Sequence, residues 1–299
     1  MISIIVCTYN RDKYIYDCLK HIADNGFPKD RYEIILVNNN STDSTERLCM
    51  KFASDYPDIP FRYYNETQQG LSFARNRGIK EASGEWMVFL DDDAMIHAGY
   101  LENLSNRLAQ HPDAGAFGGV IVPEFESGAA PDWLCKWTYS WVSAIDLGRN
   151  VTLFEGGSYP IGANMGISRR AIQKCGTFNT ELGRTENNLM GGEEKDIFNR
   201  LKKEGFSIWY FPDVAVTHVI PPHRTTTDFI RRLGAGVGAS ERLRCINDRK
   251  VFAKRCLLEC FKWGATIILW VFYLITFRPA CGNMLVRFRH NVTKALLGK

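Results

Sequence analysis

Short apolar runs alternate with amphipathic stretches through the first half of the chain. Runs rich in β-branched and aromatic residues predict strands at residues 2–7, 33–37, 61–64 and 86–90. The stretches between them have the helical period and predict helices at residues 13–25, 44–56 and 72–82. The second helix follows Ser41, Thr42 and Asp43, which are typical N-cap residues. This alternation is typical of parallel βαβ units, so we expect an α/β sandwich with a mostly parallel central sheet.

The pattern changes in the second half. Residues 117–162 are rich in Gly, Pro and Trp and predict short strands and loops, followed by a helix at 193–204 and strands at 207–211 and 214–218. Trp133, Trp137 and Trp141 are four residues apart, which favours one buried helical face over stacking on a sugar ring. Residues 263–277 are apolar but shorter than the ~20 residues that a membrane span needs. Basic residues at both ends favour a helix that lies in the membrane interface.

Charge divides the chain into two parts of opposite sign. The whole chain has a net charge of +4, but residues 231–299 contain 14 Lys/Arg against 3 Asp/Glu, a net of +11. The remaining 230 residues contain 23 Lys/Arg against 30 Asp/Glu, a net of −7. The acidic part suits a cation and the basic tail suits a membrane surface, although a core helix with a solvated basic face is the alternative. Nucleic acid is not expected as a partner, because no recognised binding motif accompanies the charge.

Cysteine usage and the N-terminus predict an intracellular protein. The nine cysteines form no CxxC pair and no regular framework, which is typical of reduced thiols. The chain begins with a short predicted strand and not with a basic segment followed by a long apolar one, so no secretory leader is expected.

Three consecutive carboxylates follow the predicted strand at 86–90. Asp91, Asp92 and Asp93 therefore lie at the carboxyl end of a sheet strand, where open α/β sheets bind ligands. Adjacent carboxylates repel one another unless a cation or hydrogen-bond donors offset the repulsion. Mg²⁺ and Mn²⁺ prefer such oxygen-rich sites and share coordination with substrate phosphates. A solvated turn or helix cap is the alternative, but the position at a strand end favours a metal site.

Two further loops are expected at the same edge. The first strand is followed by Thr8, Asn10 and Arg11, and the second by the polar segment 38–43. Both loops bring polar side chains and backbone N–H groups towards the carboxylates, as a nucleotide-binding surface requires. Either loop alone is explained by turn formation, so the prediction depends on their convergence with the three carboxylates.

Ordered motifs over residues 1–230 resemble the inverting family-2 glycosyltransferases, which have a GT-A fold. The matching segments begin with SIIVCTYNR at 3–11, VNNNSTD at 37–43 and GLSFARNRGI at 70–79. They continue with FLDDD at 89–93, GANM at 162–165, GGEEKD at 191–196 and His218. The resemblance implies a donor half at about 1–116 and an acceptor half at about 117–230, whereas charge and hydropathy predict a basic and apolar helical tail at 231–299.

The resemblance also implies roles for individual residues. Asn39 stands where many relatives use an Asp to bind uracil, which leaves the base less certain, although an amide still hydrogen-bonds a pyrimidine. Asp93 is implied as the metal-binding carboxylate, with Mn²⁺ or Mg²⁺ as the ion. The implied donor-binding residues are Thr8, Asn10, Arg11, Asn39, Arg75, Asp91 and Asp92.

Glu194 occupies the second acidic position of the family's Glu-Asp pair and is the expected catalytic base. Inverting transfer requires a carboxylate that accepts the proton of the acceptor hydroxyl. Glu193 is the rival, and simple stabilisation of a helix N-terminus by acidic residues is the non-catalytic alternative. His218 ends a predicted strand and is expected to ligate the metal beside Asp93, while Arg224 is a further candidate for a donor contact.

Together these features predict a metal-dependent enzyme that moves a sugar from a nucleotide-diphosphate sugar, with UDP-sugar favoured, to an acceptor hydroxyl. A glycan or lipid-linked acceptor, polysaccharide or glycolipid assembly, and a location at the cytoplasmic face of a membrane are expected. A sugar nucleotidyltransferase is an alternative, but the segment 7–11 lacks the glycines of a triphosphate-binding loop. A nucleotide-sugar or glycan-binding protein without turnover is the alternative from another functional class.

Overall fold

The computed structural model describes residues 1–183 and 191–298. Within these residues the chain forms two compact units. The first contains Met1–Pro123, Ser143–Glu181 and Glu193–Val219, and the second contains Glu124–Val142 together with residues 182–183, 191–192 and 220–298. The division into a donor half and an acceptor half concerns function and stays a prediction.

The first unit is built on a mixed sheet with helices on both faces. Its strands are β1 (Ile2–Thr8), β2 (Tyr32–Asn38), β3 (Phe61–Asn65), β4 (Trp86–Asp91), β5 (Ala94–Ile96), β6 (Ala114–Phe125), β7 (Thr152–Leu153), β8 (Asn164–Ser168) and β9 (Ser207–Ile220). Its helices are α1 (Ile15–Ala23), α2 (Thr45–Asp55), α3 (Leu71–Glu81), α4 (Tyr100–Gln110), α5 (Arg169–Cys175) and α6 (Glu193–Lys203). The predicted α/β class is therefore confirmed.

The sheet order places the ends of the N-terminal strands side by side. The strands run β3-β2-β1-β4-β8-β6-β9-β5, and β7 pairs with β9. Strands β3, β2, β1 and β4 are parallel, whereas β8 pairs antiparallel with β4 and with β6. Thr8 is paired with Asn38, and Cys7 with Asp91. The loops that follow β1, β2 and β4 consequently leave the sheet at the same edge.

Alternating residues of the strands build a core on each face of the sheet. Ile4 and Val6 of β1 pack with α1 and α2 on one face, and Ile5 packs with α3, α5 and α6 on the other. The residues of β2 are buried throughout, as expected for a parallel strand that is covered on both faces. The two apolar layers fix the sheet rigidly, and with it the positions of its loops.

Two local predictions are wrong in detail. The predicted strands at 207–211 and 214–218 form one strand, β9, because Pro212 does not interrupt the extended backbone. Trp133 and Trp141 are buried, but Trp137 is 50% exposed, and a short 3₁₀ turn at Tyr139–Val142 replaces the expected helical face. Of the three polar residues predicted to cap α2, Asp43 does so: its side chain accepts a hydrogen bond from the Thr45 N–H at 2.9 Å.

The second unit contains three long helices: α7 (Thr227–Cys245), α8 (Arg249–Ile275) and α9 (Pro279–Leu296). Glycines on α7 allow its backbone to approach α9, and a Cβ at Gly238 would lie 2.3 Å from the Val292 carbonyl oxygen. Among the described residues α8 is the one helix that is long and apolar enough to cross a membrane by length and composition. The predicted helical tail is therefore confirmed, and its apolar part belongs to a helix of 27 residues.

Candidate active site

The loops that follow β1 and β2 are joined by hydrogen bonds. The Asn10 N–H donates to Ser41 Oγ at 2.9 Å, and the Thr42 N–H donates to Asn10 Oδ1 at 2.8 Å. The Arg11 N–H donates to Thr45 Oγ1 at 3.0 Å. Asn10 adopts a φ of 52°, a left-handed conformation that Asn tolerates better than most residues. The predicted convergence of these loops is therefore observed, and Asn10 helps to shape the surface that they form.

Asn39 is buried beneath this surface. Its Nδ2 donates to the carbonyl oxygens of Glu66 at 3.0 Å and Gln68 at 2.8 Å, and its Oδ1 accepts from the Gly70 N–H at 2.8 Å. Both amide hydrogens are thus used to hold the segment before α3, and an acceptor lone pair on Oδ1 remains for a base. The structure assigns Asn39 a positioning role that the sequence did not indicate, while its contact with a base stays a prediction.

The three carboxylates lie at the carboxyl end of β4, whose last residue is Asp91, and differ in exposure. Asp92 and Asp93 are buried, whereas Asp91 is partly exposed. Arg11 lies over the pair, with Nε 3.5 Å from Asp92 Oδ1 and Nη2 3.5 Å from Asp93 Oδ2. Burial raises the pKa of Asp92 to about 7; Arg11 opposes this rise and Asp93 adds to it. Arg11 therefore offsets part of the repulsion that the sequence predicts.

Strand β9 brings His218 to the same place. His218 is paired with Ala94 of β5, and the Val219 N–H donates to the Asp93 carbonyl oxygen at 2.9 Å. His218 Nε2 consequently lies 2.9 Å from Asp93 Oδ1. Ligand atoms of Asp91, Asp93 and His218 all lie within 4.8 Å of one another. Two carboxylates and one imidazole suit a divalent ion such as Mn²⁺, so these residues fit the predicted metal.

A buried arginine connects this group to the start of α6. Arg75 of α3 lies with Nη1 3.2 Å from Glu193 Oε1 and Nη2 3.1 Å from Glu194 Oε1. Nη2 is also 4.0 Å from Asp91 Oδ1, and the guanidinium stacks over the ring of Phe178. Burial opposes the charge of Arg75, but Glu194 and Glu193 outweigh it and raise the pKa of the guanidinium. The planar, forked guanidinium directs a separate nitrogen to each carboxylate, whereas a lysine presents only one nitrogen.

The two glutamates at this arginine differ in accessibility. The Glu193 side chain is 5% exposed and the Glu194 side chain is 20% exposed. A Cβ on Gly162 would lie 2.0 Å from Arg75 Nη2 and 2.2 Å from Glu194 Oε1. Only glycine therefore leaves room for this ion pair. Of the two glutamates, Glu194 is therefore the more accessible to solvent.

Several features of the site are not evident from the sequence. The candidate metal group includes Asp91, which the resemblance had placed at the donor. Asn164 holds the sheet behind the site: its Nδ2 donates to Val120 and Val214, and its Oδ1 accepts from Tyr100. Such contacts join residues far apart in the chain, so no local pattern reveals them. Arg224, a further candidate for a donor contact, is buried in the second unit, where its guanidinium lies over the Phe229 ring.

Comparison with known proteins supports one family. The family model described as Glycosyl transferase family 2 matches residues 3–176, which is more than half of the chain. The match includes the loops after β1 and β2, α3, and the three carboxylates. His218 and the glutamates of α6 lie beyond it.

Two curated relatives and two solved structures are similar to this chain over most of its length. Glycosyltransferase AglE of Haloferax volcanii is 26% identical over 252 residues, which is 84% of this chain and 78% of that protein. The glucosyl-dolichyl phosphate glucuronosyltransferase of the same organism is 22% identical, over 86% of this chain and 83% of its own. The mannosyltransferase PcManGT from Pyrobaculum calidifontis, solved with GDP-Man and Mn²⁺, superposes with a TM-score of 0.67 at 19% identity, covering 100% of this chain and 87% of that one. TarS 1–349 from S. aureus, solved with UDP-GlcNAc, gives 0.57 at 16% identity, covering 100% and 92%.

Proposed function

Because the chain belongs to glycosyl transferase family 2, we propose that it transfers a sugar from a nucleotide-diphosphate sugar to an acceptor hydroxyl with inversion. One observation carries the proposal: Arg75 joins the glutamates of α6 to Asp91 of the candidate metal group at a single sheet edge. A candidate base and a candidate metal group are thereby held near each other by one buried side chain. A UDP-sugar is the first donor to test.

The donor is proposed to bind over the loops that follow β1, β2 and β4. Thr8, Asn10, Arg11 and Asn39 are assigned to the nucleotide, whereas Asp91 and Asp92 are assigned to its ribose and sugar. The hydrogen bonds between the two loops support this assignment, because they preform the surface before the donor arrives. UDP-GlcNAc in the TarS structure and GDP-Man in the PcManGT structure support a nucleotide-diphosphate sugar and leave uridine and guanosine as the bases to compare.

Asp93 and His218 are proposed to hold a divalent ion, either Mn²⁺ or Mg²⁺, with Asp91 as an additional ligand. When bound, the ion supplies positive charge that stabilises the departing nucleoside diphosphate. The presence of Mn²⁺ in the PcManGT structure supports this choice. Arg11, which lies against Asp92 and Asp93, supplies a fixed positive charge on the same side.

Glu194 is proposed as the catalytic base. It would accept the proton of the acceptor hydroxyl as that oxygen attacks the anomeric carbon, and a single displacement of this kind inverts the configuration. Its partial exposure supports the assignment, since Glu193 is buried against Arg75. Arg75 is proposed to orient the Glu194 carboxylate, so that the base is held in one geometry instead of sampling several rotamers.

The acceptor is proposed to be a glycan or a lipid-linked saccharide at the cytoplasmic face of a membrane. The dolichyl phosphate in the name of the Haloferax glucuronosyltransferase supports a lipid-linked acceptor. The long apolar helix α8 supports membrane association. With such an acceptor, the proposed process is the assembly of a polysaccharide or a glycolipid.

Release of nucleoside diphosphate from UDP-, GDP- and dTDP-sugars with Mn²⁺ tests the proposal. Turnover of one donor is expected to be lost in Asp93→Ala and Glu194→Gln. The matched controls are Asp30→Ala and Glu46→Gln, because Asp30 is exposed and Glu46 is an exposed glutamate in the first turn of α2. Donor binding without release, with or without lipid-linked acceptors, would contradict the proposal and support a binding protein.

A further inference from the structure

Helix α8 presents a continuous apolar stripe to the outside of the second unit. Leu257, Phe261, Ile268, Phe272 and Ile275 recur at helical spacing, and each is more than half exposed. Only 17% of the most apolar 18-residue window of this helix is buried. Soluble proteins rarely leave an apolar surface of this length uncovered. This face therefore requires a partner.

The opposite side of α8 is fully occupied by the second unit. Its buried residues are Arg255, Glu259, Thr266 and Tyr273. Arg255 donates to Glu259 Oε2 at 2.8 Å and to Glu241 Oε2 of α7 at 2.8 Å. Glu259 Oε1 also accepts from Arg289 Nη1 of α9 at 3.2 Å. These ion pairs fix the rotation of α8 about its own axis. The apolar stripe on its other side therefore faces away from the rest of the second unit.

The charge pattern identifies an anionic lipid surface as the partner. Lys250 and Lys254 continue the same stripe at its N-terminal end, and both are exposed. The segment 231–299 has a net charge of +11. A basic end followed by large apolar side chains on one helical face is typical of helices that bind at a membrane interface.

Two contacts argue that α8 does not cross the membrane. Trp263 Nε1 donates to Thr293 Oγ1 and Trp270 Nε1 donates to Asn283 Oδ1, both at 2.9 Å, so α9 runs antiparallel along the apolar part of α8. A crossing would carry the Arg287, Arg289 and His290 side chains of α9 into hydrocarbon, which is costly.

The segment 124–142 gives an independent argument. Arg278, just beyond α8, donates to the Leu134 carbonyl oxygen at 3.1 Å, and Cys281 Sγ donates to the Asp132 carbonyl oxygen at 3.4 Å. This segment carries exposed charges and is continuous at both ends with the first unit. Moving the end of α8 across a bilayer would require the segment to cross as well, and it has no apolar run of sufficient length.

We propose that α8 lies in the plane of an anionic membrane, with the stripe from Leu257 to Ile275 immersed and Lys250 and Lys254 at the headgroups. The proposal rests on the membrane association proposed above and adds the immersed face and its orientation. Phe277, which is 92% exposed, extends the immersed surface beyond the helix end.

Flotation with vesicles of phosphatidylcholine, with and without an equal part of phosphatidylglycerol, tests the partner. The full-length protein is expected to float with the anionic vesicles, and Ile268→Glu/Phe272→Glu to bind at least roughly tenfold more weakly. Met50→Glu, an exposed apolar residue of α2, is the matched control and is expected to float normally. Nucleotide release by each variant is measured separately, so that a failure of lipid binding is distinguished from a failure of the proposed activity.

Depth measurements test the orientation. Tryptophan is placed in turn at Leu257, Ile268 and Ile275, and quenching by lipids brominated at shallow and deep positions is measured above the signal of the parent protein. The same shallow depth at all three positions is expected. A depth that changes steadily along the helix would overturn the in-plane arrangement. Absence of lipid binding, or self-association that Ile268→Glu/Phe272→Glu abolishes, would overturn the membrane as partner.

Discussion

Arg75 Nη2 lies 3.1 Å from Glu194 Oε1, and this pair is packed directly against Gly162. Residues from three separate parts of the chain therefore determine where the candidate base points. The position of the Glu194 carboxylate can therefore be changed by a substitution elsewhere in the site, without altering the carboxylate itself.

Substitution of Gly162 tests this geometry. In Gly162→Ala the new Cβ would displace both Arg75 and Glu194, because the available distances are 2.0 and 2.2 Å. We expect kcat to fall roughly 10²-fold with the fold retained, as for a misplacement of about 1 Å. Gly157→Ala is the control, since nothing lies within 4 Å of that position. Equal activity of both variants by nucleotide-release kinetics would contradict the packing argument.

The two glutamates of α6 are expected to differ in function. Glu194→Gln removes the proposed base, so kcat should fall by roughly 10²–10⁴-fold. Glu193→Gln weakens the ion pair that holds Arg75, which should lower the free energy of unfolding by about 1–3 kcal/mol with a smaller loss of kcat. Steady-state kinetics and urea unfolding of both variants separate the two effects. If Glu193→Gln loses more kcat than Glu194→Gln, the assignment of the base is reversed.

Asp91 is expected to contribute to metal binding. A carboxylate oxygen of Asp91 lies within 4.8 Å of ligand atoms of the Asp93 carboxylate and the His218 imidazole, so Asp91→Asn should weaken Mn²⁺ binding by at least roughly tenfold. Calorimetric titration of Mn²⁺ into the protein measures this directly, and chelation should abolish turnover in the parent. Asp213→Asn serves as the control because Asp213 pairs with Arg107 outside the group. Unchanged Mn²⁺ affinity in Asp91→Asn would show that Asp91 does not bind the metal and would leave it a role in donor binding alone.

Glu33 is expected to make stability depend on pH. Its carboxylate accepts from Ser3 Oγ at 2.5 Å and from Ser83 at 2.7 and 2.8 Å, and it pairs with Arg62. Burial alone would raise the pKa of Glu33, but these partners lower it below the ordinary value of 4.5. The stabilisation is therefore complete above that value and is lost as the pH falls through the lowered pKa.

Glu33→Gln is expected to lower the free energy of unfolding by about 2 kcal/mol near neutral pH. The difference from the parent should shrink in acid, as measured by urea unfolding at several pH values. Exposed Glu85 provides the control substitution Glu85→Gln. A difference that is constant across this pH range would show that the charge of Glu33 is not responsible.

The sequence predicts the N-terminal strands and helices because their buried and exposed positions repeat at two distinct periods. It also predicts that the loops after β1, β2 and β4 converge, since parallel strands end at one edge. It does not predict the contact of Arg75 with Glu193, because that contact joins residues 118 positions apart. The spacing of Trp133, Trp137 and Trp141 is misleading, since that segment forms a loop with only a short turn. Local periodicity predicts individual strands and helices, whereas the site depends on the contacts between them.

The placement of His218 on β9 and of Asp93 in the turn just before β5 has a thermodynamic consequence. The two residues are remote in the chain and become neighbours only when β5 pairs with β9. The unfolded chain therefore offers no preformed group for an ion, and the free energy of binding the proposed metal would add to that of folding. Binding of the proposed ion would raise the free energy of unfolding, so the stability of the folded protein, as well as its turnover, is expected to depend on the supply of metal.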